Sequence, residues 1–545
     1  MSVEAAEARE PVDIAKQGLA RPAAVMAAGT ALSRLTGLGR TLAMAFALGV
    51  AESRLADAYN LANTLPIVLY ELVLGGVLTS VFIPVLVQEL RTKSHDDAWA
   101  AASAMVTTAA VVLCGLTVVV VAIAPWVVDV FTARVPDSAV AEQRDLATFF
   151  LRAFAPQILL LGLAAIAGGL LNANGRFGPP MFAPIVNNLI LIGTFVAFAA
   201  LTSGVTGSAQ VEGDTGLKLL LGAGATGAVA TMVAVNWVYV MRLPGRLRAR
   251  FDFGHEAVRK LARLSAWTLG YVVTNTVGVA VSFYLANGVQ GGLTAYVTAF
   301  AFFQLPIGIA AISIVTALVP KLSAHYVDGE PDAFRRRIAD GMRTLGLLMI
   351  PATVGFLVLA EPLIRTLLEH GIVSARSTEL VAANLRWFAI GLLPFAAYQL
   401  LMRAFQTRQD ARTPALVNLL ENVVTIVLDV VLFVLMGIEG LALAHSLGYV
   451  AGAIVAGVVL VRRVGPVVDR TALFDLFKVL AAAAATAGAM LLAVVGMREV
   501  VDDLVWRALA QLLLGAALGA AVFLAVARAL HVRDLAMLRR MVPGR

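Results

Sequence analysis

Long apolar stretches separated by short polar connections recur along the whole of this 545-residue chain. Each stretch is about 20 residues or longer, which is the length that an α-helix needs to cross the hydrocarbon core of a bilayer. Apolar and polar residues do not alternate within them with a period of two, which excludes the strands of an outer-membrane β-barrel. The pattern therefore predicts an all-α polytopic membrane protein with about fourteen transmembrane helices.

The lysines and arginines test this count, because they concentrate in the cytoplasmic loops of membrane proteins. The predicted spans lie near residues 23–50, 58–90, 99–123, 146–171, 181–202, 217–241, 261–287, 292–319, 338–360, 378–402, 413–436, 440–461, 474–496 and 504–530. With the N-terminus inside, and six residues of each flanking span included, the six internal cytoplasmic loops hold 22 Lys and Arg and the seven outside loops hold 8. We therefore predict that both termini are cytoplasmic.

Composition excludes several classes of function. Charged residues make up only 14% of the chain, against roughly 25% in soluble proteins. The formal net charge of +7 comes from residues gathered in short loops between apolar spans, so it does not indicate a nucleic-acid partner. The single cysteine, Cys114, and the six histidines provide no metal-ligand spacing, and the glycine-rich loop of an ATPase is missing from the sequence. No resident cofactor is expected.

Two arginines lie inside the first span. Arg34 and Arg40 stay charged at every cellular pH, and a charge at bilayer depth costs at least ~2.5 kcal/mol. We expect them to face a water-filled interior and bind an anion; alternatively, both reach one membrane interface through their long side chains. In span two, Asp57 is either an interfacial residue at a helix start or the partner of one arginine. Glu71 lies near mid-span and is expected to pair with Arg34 or Arg40.

The C-terminal half carries a second group of polar side chains at membrane depth. Glu421 and Asp429 lie in span eleven, and His445 opens span twelve. A buried carboxylate near a histidine is a candidate site for a proton or a coupled monovalent cation. The alternative is a hydrogen-bonded link between helices. The two carboxylates are eight residues apart and return to within about 80° on a helix, so they need not share one face.

Several segments resemble the lipid II flippase family, MurJ, also called MviN. The N-terminal signature is matched by residues 33–40 (SRLTGLGR), 56–66 (ADAYNLANTLP) and 81–86 (VFIPVL). Residues 170–188 resemble the family's loop between spans four and five, and residues 404–414 resemble its link between spans ten and eleven. The resemblance extends over spans one to twelve, and the count of fourteen also fits.

The resemblance implies a fold of the multidrug/oligosaccharidyl-lipid/polysaccharide exporter superfamily, with two six-helix lobes around a central cationic cavity. Two extra helices would line a groove for a lipid tail. The implied divisions are a cytoplasmic tail (1–22), an N-lobe (23–241), a cytoplasmic linker (242–260), a C-lobe (261–461), the groove helices (474–530) and a basic cytoplasmic tail (531–545).

By position, Arg34, Arg40 and Asp57 look like the family's cavity residues. Two further cavity arginines of the family fall here on Tyr70, with Glu71 beside it, and on Ala301. The cavity is therefore expected to be less cationic than the family pattern implies. Arg34, Arg40, Asp57 and Glu71 form the predicted substrate-binding set.

The resemblance implies a transporter rather than an enzyme. It would move undecaprenyl-pyrophosphate disaccharide-pentapeptide from the cytoplasmic to the outer leaflet of a bacterial plasma membrane, in peptidoglycan synthesis. The two lobes would rock between two states, driven by the membrane potential, a proton or a monovalent cation. The candidate partners are membrane lipids and cell-wall synthesis proteins. Alternatives are a flippase for another lipid-linked oligosaccharide, a cation-coupled drug antiporter, and a scaffold. The span count and the arginines argue against the antiporter, and the buried charges argue against the scaffold.

Overall fold

The computed structural model describes residues 20–71, 88, 94–202, 207–410, 412–467 and 470–532, and these form helices joined by short connections. A π-helical turn, Ile307–Ala311, lies between two of the α-helices. The α-helices are α1 (Ala20–Leu48), α2 (Leu55–Tyr70), α3 (His95–Thr132), α4 (Asp137–Phe154), α5 (Gln157–Ala173), α6 (Gly178–Thr202), α7 (Ser208–Gly213), α8 (Thr215–Val240), α9 (Glu256–Asn287), α10 (Gly292–Pro306), α11 (Ile312–Val327), α12 (Pro331–Leu368), α13 (Ala375–Ala389), α14 (Leu392–Thr407), α15 (Arg412–Met436), α16 (Ile438–Val464), α17 (Arg470–Val500) and α18 (Leu504–Ala529).

The helices confirm a polytopic membrane protein. In the described part of the chain, ten helices or continuous helix pairs are long and apolar enough to cross a bilayer. The pair α13 and α14, bent by 47°, would make eleven, and residues 272–287 form a shorter apolar helix. Every predicted span falls on one of the helices, although most of residues 72–90 in predicted span two lie outside the described residues. The predicted count of fourteen is consistent with this arrangement.

Helix packing divides the molecule into two lobes. The described helices α1 to α8 pack mainly on one another, and we call them the N-lobe; α9 to α16, with the π-helical turn, form the C-lobe. Each lobe has its own aromatic core, built in the N-lobe around Phe150 and Phe154 and in the C-lobe around Phe303 and Phe388. The domain boundaries inferred from the resemblance remain predictions.

The last two helices lie outside both lobes. They pack against each other and against α12 of the C-lobe. Ile350 of α12 belongs to one small apolar cluster with Val479 and Phe523, and Leu359 belongs to another with Met490. The two extra C-terminal helices expected from the resemblance are therefore present, docked on one side of the C-lobe.

The connection between the lobes runs along the surface of α3. Residues 241–255 join α8 to α9, so α9 already includes residues 256–260, the last five residues of the predicted linker. The hydroxyls of Ser103 and Thr107 accept hydrogen bonds from the backbone amides of Arg248 and Arg250 at 3.1 and 3.0 Å. These bonds satisfy backbone groups that an irregular segment would otherwise leave unpaired.

Candidate substrate cavity and the seam between the lobes

Helix α1 carries Arg34 at its midpoint. The residue stands at the middle of a 29-residue helix, about 21 Å from either end. Asn188 of α6 fixes this part of the helix, because its Nδ2 donates to Ser33 O at 3.2 Å and to Thr36 Oγ1 at 3.1 Å. Packing between helices thus holds the backbone around Arg34 in place.

The guanidinium of Arg34 reaches from the N-lobe to the C-lobe. Its Nη1 donates to Gln304 Oε1 of α10 at 3.1 Å, and both side chains are half-buried. Gly308, in the π-helical turn, lies beside the arginine, since a Cβ added there would stand 3.1 Å from Arg34 Nε. Among the described residues, no carboxylate lies within ion-pair distance of Arg34.

Arg40 lies two turns further along α1, next to an aromatic cluster. Its guanidinium lies near the hydroxyl of Tyr59 on α2. The ring of Tyr59 packs edge-on against Phe150, Phe154 and Phe195, which hold it in place. Arg40 is half-buried, and within the described ranges it pairs with no carboxylate. Two half-buried guanidinium groups on one helix thus have only neutral neighbours, which leaves their charge available to an anion.

Glu71 does not form the expected pair. Its side chain is exposed at the C-terminal end of α2, and among the described residues neither Arg34 nor Arg40 lies within ion-pair distance of it. The reason is the packing of the helices: α1 packs mainly on α6, whereas α2 packs mainly on α4 and α5. The two helices make few contacts with each other, so residues at similar depth on spans one and two are not neighbours.

Asp57 lies in the first turn of α2, but its hydrogen bonds go to the other lobe. Its carboxylate accepts from the backbone amides of Gly291 and Thr294 at 2.7 and 3.0 Å, and from Thr294 Oγ1 at 2.7 Å. Gly291 is the N-cap of α10 and has no side chain to satisfy the free amides there. A fully buried carboxylate from the N-lobe supplies that cap, so Asp57 binds the start of a C-lobe helix rather than Arg34 or Arg40.

Arg54 adds a second set of bonds between the lobes on the same side. Its Nη1 donates to the carbonyl of Asn287 at 2.7 Å and to Gln143 Oε1 at 3.4 Å. Gln143 Nε2 in turn donates to Asn287 Oδ1 at 2.8 Å. All three side chains are buried, and burial of Arg54 lowers the pKa of its guanidinium even though Asp57 lies near.

Glu52 makes a third connection. Its Oε1 accepts from the backbone amide of Ser374 at 2.7 Å and from Ser377 Oγ at 2.6 Å, at the N-terminus of α13. Burial opposes ionisation of this carboxyl, but the hydrogen bonds from Ser377, Ser374 and Val50 outweigh it and hold the pKa of Glu52 below its ordinary value. We call the contacts of Glu52, Arg54 and Asp57 with the C-lobe the seam.

Two left-handed glycines allow the backbones to approach across the seam. Gly291 has φ +77°, and a Cβ there would stand 2.4 Å from Ala51 Cβ. Gly371 has φ +66°, and its Cβ would stand 2.7 Å from ring carbons of Phe46. No other residue adopts this conformation at so little cost or fits so close a contact. The seam therefore brings the two lobes into direct backbone contact near residues 51 and 291.

The polar group of the C-lobe is a network between helices. Asn275 Oδ1 of α9 accepts from the side-chain amides of Asn422 at 3.0 Å and Asn418 at 3.4 Å on α15. Glu421 accepts from Asn422 Nδ2 at 2.9 Å and from Thr425 Oγ1 at 3.2 Å. These contacts favour the interhelical link that the sequence left as an alternative.

Asp429 and His445 do not join that network. Asp429 accepts a hydrogen bond from Ser282 Oγ of α9 at 2.6 Å and is fully buried. The ring of His445 packs edge-on against aromatic rings, including Phe300 and Phe388, and its Nε2 has no hydrogen-bond partner among the described residues. The three residues predicted as an ion site thus lie in separate environments. Within the described ranges, no group of three or more His, Cys, Asp or Glu side chains could hold a metal ion.

Sequence reasoning missed residues whose partners are distant along the chain. Asn188 and Glu52 are polar residues that look ordinary in the sequence, and Gln304 is an uncharged polar residue within predicted span eight. Asn188 lies in the segment 170–188, which resembles a loop of the family. The motif marked this residue, but the sequence did not indicate what its side chain contacts. For Glu52, whose partners lie 322 and 325 residues away, the sequence offered no signal.

Known proteins are similar to this chain over most of its length. A family model described as lipid II flippase MurJ matches residues 44–509. A lipid II flippase MurJ of Burkholderia cenocepacia is 27% identical over 433 residues, covering 77% of this chain and 79% of the relative. A probable lipid II flippase MurJ of Rhizobium meliloti is 28% identical over 531 residues, covering 96% of each chain.

Solved structures share the architecture. A structure described as lipid II flippase MurJ in an inward closed conformation superposes with a TM-score of 0.74 at 21% identity, over 93% of this chain and 99% of the other. An inward-facing multidrug MATE transporter of the MOP superfamily superposes with a TM-score of 0.59 at 13% identity, over 83% and 97%. These likenesses confirm the predicted fold of two helical lobes.

Proposed function

We propose, because the chain belongs to the lipid II flippase MurJ family, that it moves lipid II from the cytoplasmic to the outer leaflet of the bacterial plasma membrane. The substrate consists of an undecaprenyl tail, a pyrophosphate and a disaccharide-pentapeptide head. The head is too polar to cross hydrocarbon unaided, so a wet path through the protein is needed.

Arg34 is the observation that carries this proposal. A permanent charge at mid-membrane is costly and is found mainly where it faces a cavity or a ligand. Here its one hydrogen-bonded partner among the described residues is the neutral amide of Gln304. A pyrophosphate offers several anionic oxygens, and a guanidinium can bind two of them at once. Arg34, assisted by Arg40 two turns away, would bind the pyrophosphate while the sugar-peptide head occupies the cavity.

Alternating access supplies the movement. The seam of Glu52, Arg54 and Asp57 would lie on the outer side, because lysine and arginine counts place the loops around residues 50–57 and 287–292 outside. In the conformation described here the outer side is then closed, and the cavity would receive its substrate from the cytoplasmic side. Breaking the seam and closing the other end would expose the pyrophosphate to the outer leaflet. The tail would remain in lipid beside α17 and α18.

Coupling to a proton or a monovalent cation would act at Glu421 and Asp429. A carboxylate at membrane depth is most costly when it is charged and without a cation, so its charge state can be linked to the position of the lobes. His445 is the weaker candidate, because its ring lies among aromatic side chains and contacts neither carboxylate in the described structure.

Depletion of the protein in cells tests the substrate. Lipid-linked intermediates would be extracted, identified by mass spectrometry, and assigned to a leaflet by their accessibility to an enzyme added outside. We expect lipid II to accumulate in the cytoplasmic leaflet, and a plasmid copy with Arg144→Ala, at an exposed ion pair, to restore its export. Accumulation of a different lipid-linked oligosaccharide, with lipid II export unchanged, would assign the protein to that substrate instead.

A further inference from the structure

The hydrogen bond between Arg34 and Gln304 joins the two lobes at mid-membrane, through side chains 270 residues apart in the chain. We propose that this bond is a neutral latch: it holds Arg34 against the C-lobe while the cavity is empty, and the substrate's phosphate oxygens displace it. The inference rests on the proposed function, because it assigns Arg34 a phosphate ligand. Gln304 is accordingly a positioning residue, which acts through Arg34.

The depth of the bond suits a latch between the lobes. Arg34 is 14 residues from the end of α1 at Leu48, and Gln304 is 12 residues from the start of α10 at Gly292. Both therefore lie about 18–21 Å below the seam. Both side chains are only half-buried, so a bound anion could reach the contact.

The backbone of the C-lobe is shaped around the arginine. Pro306 ends α10 two residues after Gln304, and the next five residues form the π-helical turn. Such turns are rare and often occur at functional sites. Gly308 lies on this turn against Arg34, where a methyl group would crowd Nε at 3.1 Å. The glycine thus leaves room for the guanidinium to lie along the helix and reach Gln304.

The neutrality of Gln304 is what makes the bond replaceable. The amide oxygen of Gln304 accepts one hydrogen bond from the guanidinium, whereas phosphoryl oxygens accept shorter, charge-assisted hydrogen bonds. A carboxylate at the same position would compete with the substrate on equal terms. The exposed position of Glu71, away from both arginines, is in keeping with a cavity in which no acidic side chain occupies the phosphate site.

Two substitutions at position 304 should act in opposite directions. Gln304→Met keeps the side-chain volume but removes the acceptor, so the latch is lost. Gln304→Glu replaces the neutral hydrogen bond with an ion pair, which strengthens the latch.

The readout is the distance between spin labels on exposed outer positions of the two lobes, Ser138→Cys and Glu379→Cys, in a Cys114→Ser background. Gln406→Glu is the matched control, because Gln406 also accepts from an arginine, Arg403, but at an exposed position.

We expect undecaprenyl pyrophosphate to lengthen the label distance in the wild type. The concentration needed should fall by about tenfold or more in Gln304→Met and rise by about tenfold or more in Gln304→Glu, with the control unchanged. A purely structural role for Gln304 would move both variants in the same direction or neither, and either result overturns the latch. If the ligand does not change the distance in the wild type while the wild type still transports lipid II, the latch fails and the proposed function stands. If the wild type transports no lipid II, the proposed function fails as well.

Discussion

At the scale of single residues, the two lobes are joined by carboxylates that cap helices belonging to the other lobe. Asp57 caps α10, whose own N-cap is Gly291, and Glu52 binds the first amide and a hydroxyl at the start of α13. The positive end of a helix dipole stabilises an anion, so each pair combines hydrogen bonds with favourable electrostatics. The same bonds can re-form after each cycle, because neither helix needs to unfold to release them.

Asp57→Asn should weaken the seam. The amide retains one acceptor oxygen but loses the charge, and each charged hydrogen bond in such a site contributes about 1.5–3 kcal/mol. We expect the label pair at positions 138 and 379 to show a larger open population without ligand, and lipid II export to slow. Asp252→Asn, at an exposed pair with Arg250, is the control. An unchanged distance distribution in Asp57→Asn would show that this cap does not hold the lobes.

Glu52 gives the seam a defined response to pH. Its pKa in the closed seam lies below the ordinary value of 4.5, so the charged form stabilises closure. That contribution is complete above the ordinary pKa and is lost as the pH falls through the lowered one. The difference in label distance between the wild type and Glu52→Gln should therefore stay constant from about pH 8 to about pH 5 and shrink only in stronger acid. A difference that changes between about pH 7 and about pH 6 would contradict the assignment to Glu52.

At the scale of helices and loops, periodicity and length predicted the spans well, but not which spans are neighbours. Within the described residues, the predicted apolar stretches form helices or helix pairs, because only internally hydrogen-bonded helices satisfy the backbone in lipid. The expected contact between Glu71 and the arginines failed because α1 and α2 diverge to pack on different helices. Helix packing depends on the shapes of surfaces distant in sequence, which a single chain read in order does not reveal.

The close approach of Ala51 and Gly291 at the seam can be tested by substituting glycines with alanine. Gly291→Ala places a methyl group 2.4 Å from Ala51 Cβ and strains a φ of +77°. Gly329→Ala strains a similar φ of +69°, but nothing lies within 4 Å of its added Cβ. Both variants bear the left-handed cost of about 1–2 kcal/mol, so the difference between them isolates the contact between the lobes.

We expect Gly291→Ala to lose more thermal stability than Gly329→Ala and, unlike it, to open the seam in the spin-label measurement. Equal effects of the two substitutions would mean that only backbone strain matters at position 291. In that case the close approach of residues 51 and 291 would contribute nothing to closure.

At the scale of the whole molecule, two lobes are joined by the seam and by the bond between Arg34 and Gln304. The family resemblance indicated the two-lobe architecture, and the presence of two charges inside an apolar span pointed to Arg34 and Arg40. The partners that give these residues a mechanism, Gln304 and Asn188, come from spans eight and five, because folding brings distant helices to one depth. The proposed mechanism therefore depends on whether the guanidinium of Arg34 binds the substrate during transport.

Flipping of purified lipid II by the reconstituted protein tests that claim most directly. Liposomes would carry wild-type protein, Arg34→Ala, Arg34→Lys or the control Arg144→Ala, each checked for insertion and thermal stability, and the appearance of lipid II in the opposite leaflet would be timed. We predict flipping by the wild type and the control, background rates for Arg34→Ala, and partial activity for Arg34→Lys, which keeps the charge but loses bidentate geometry. A stable, inserted Arg34→Ala protein that flips lipid II at the wild-type rate would contradict the account.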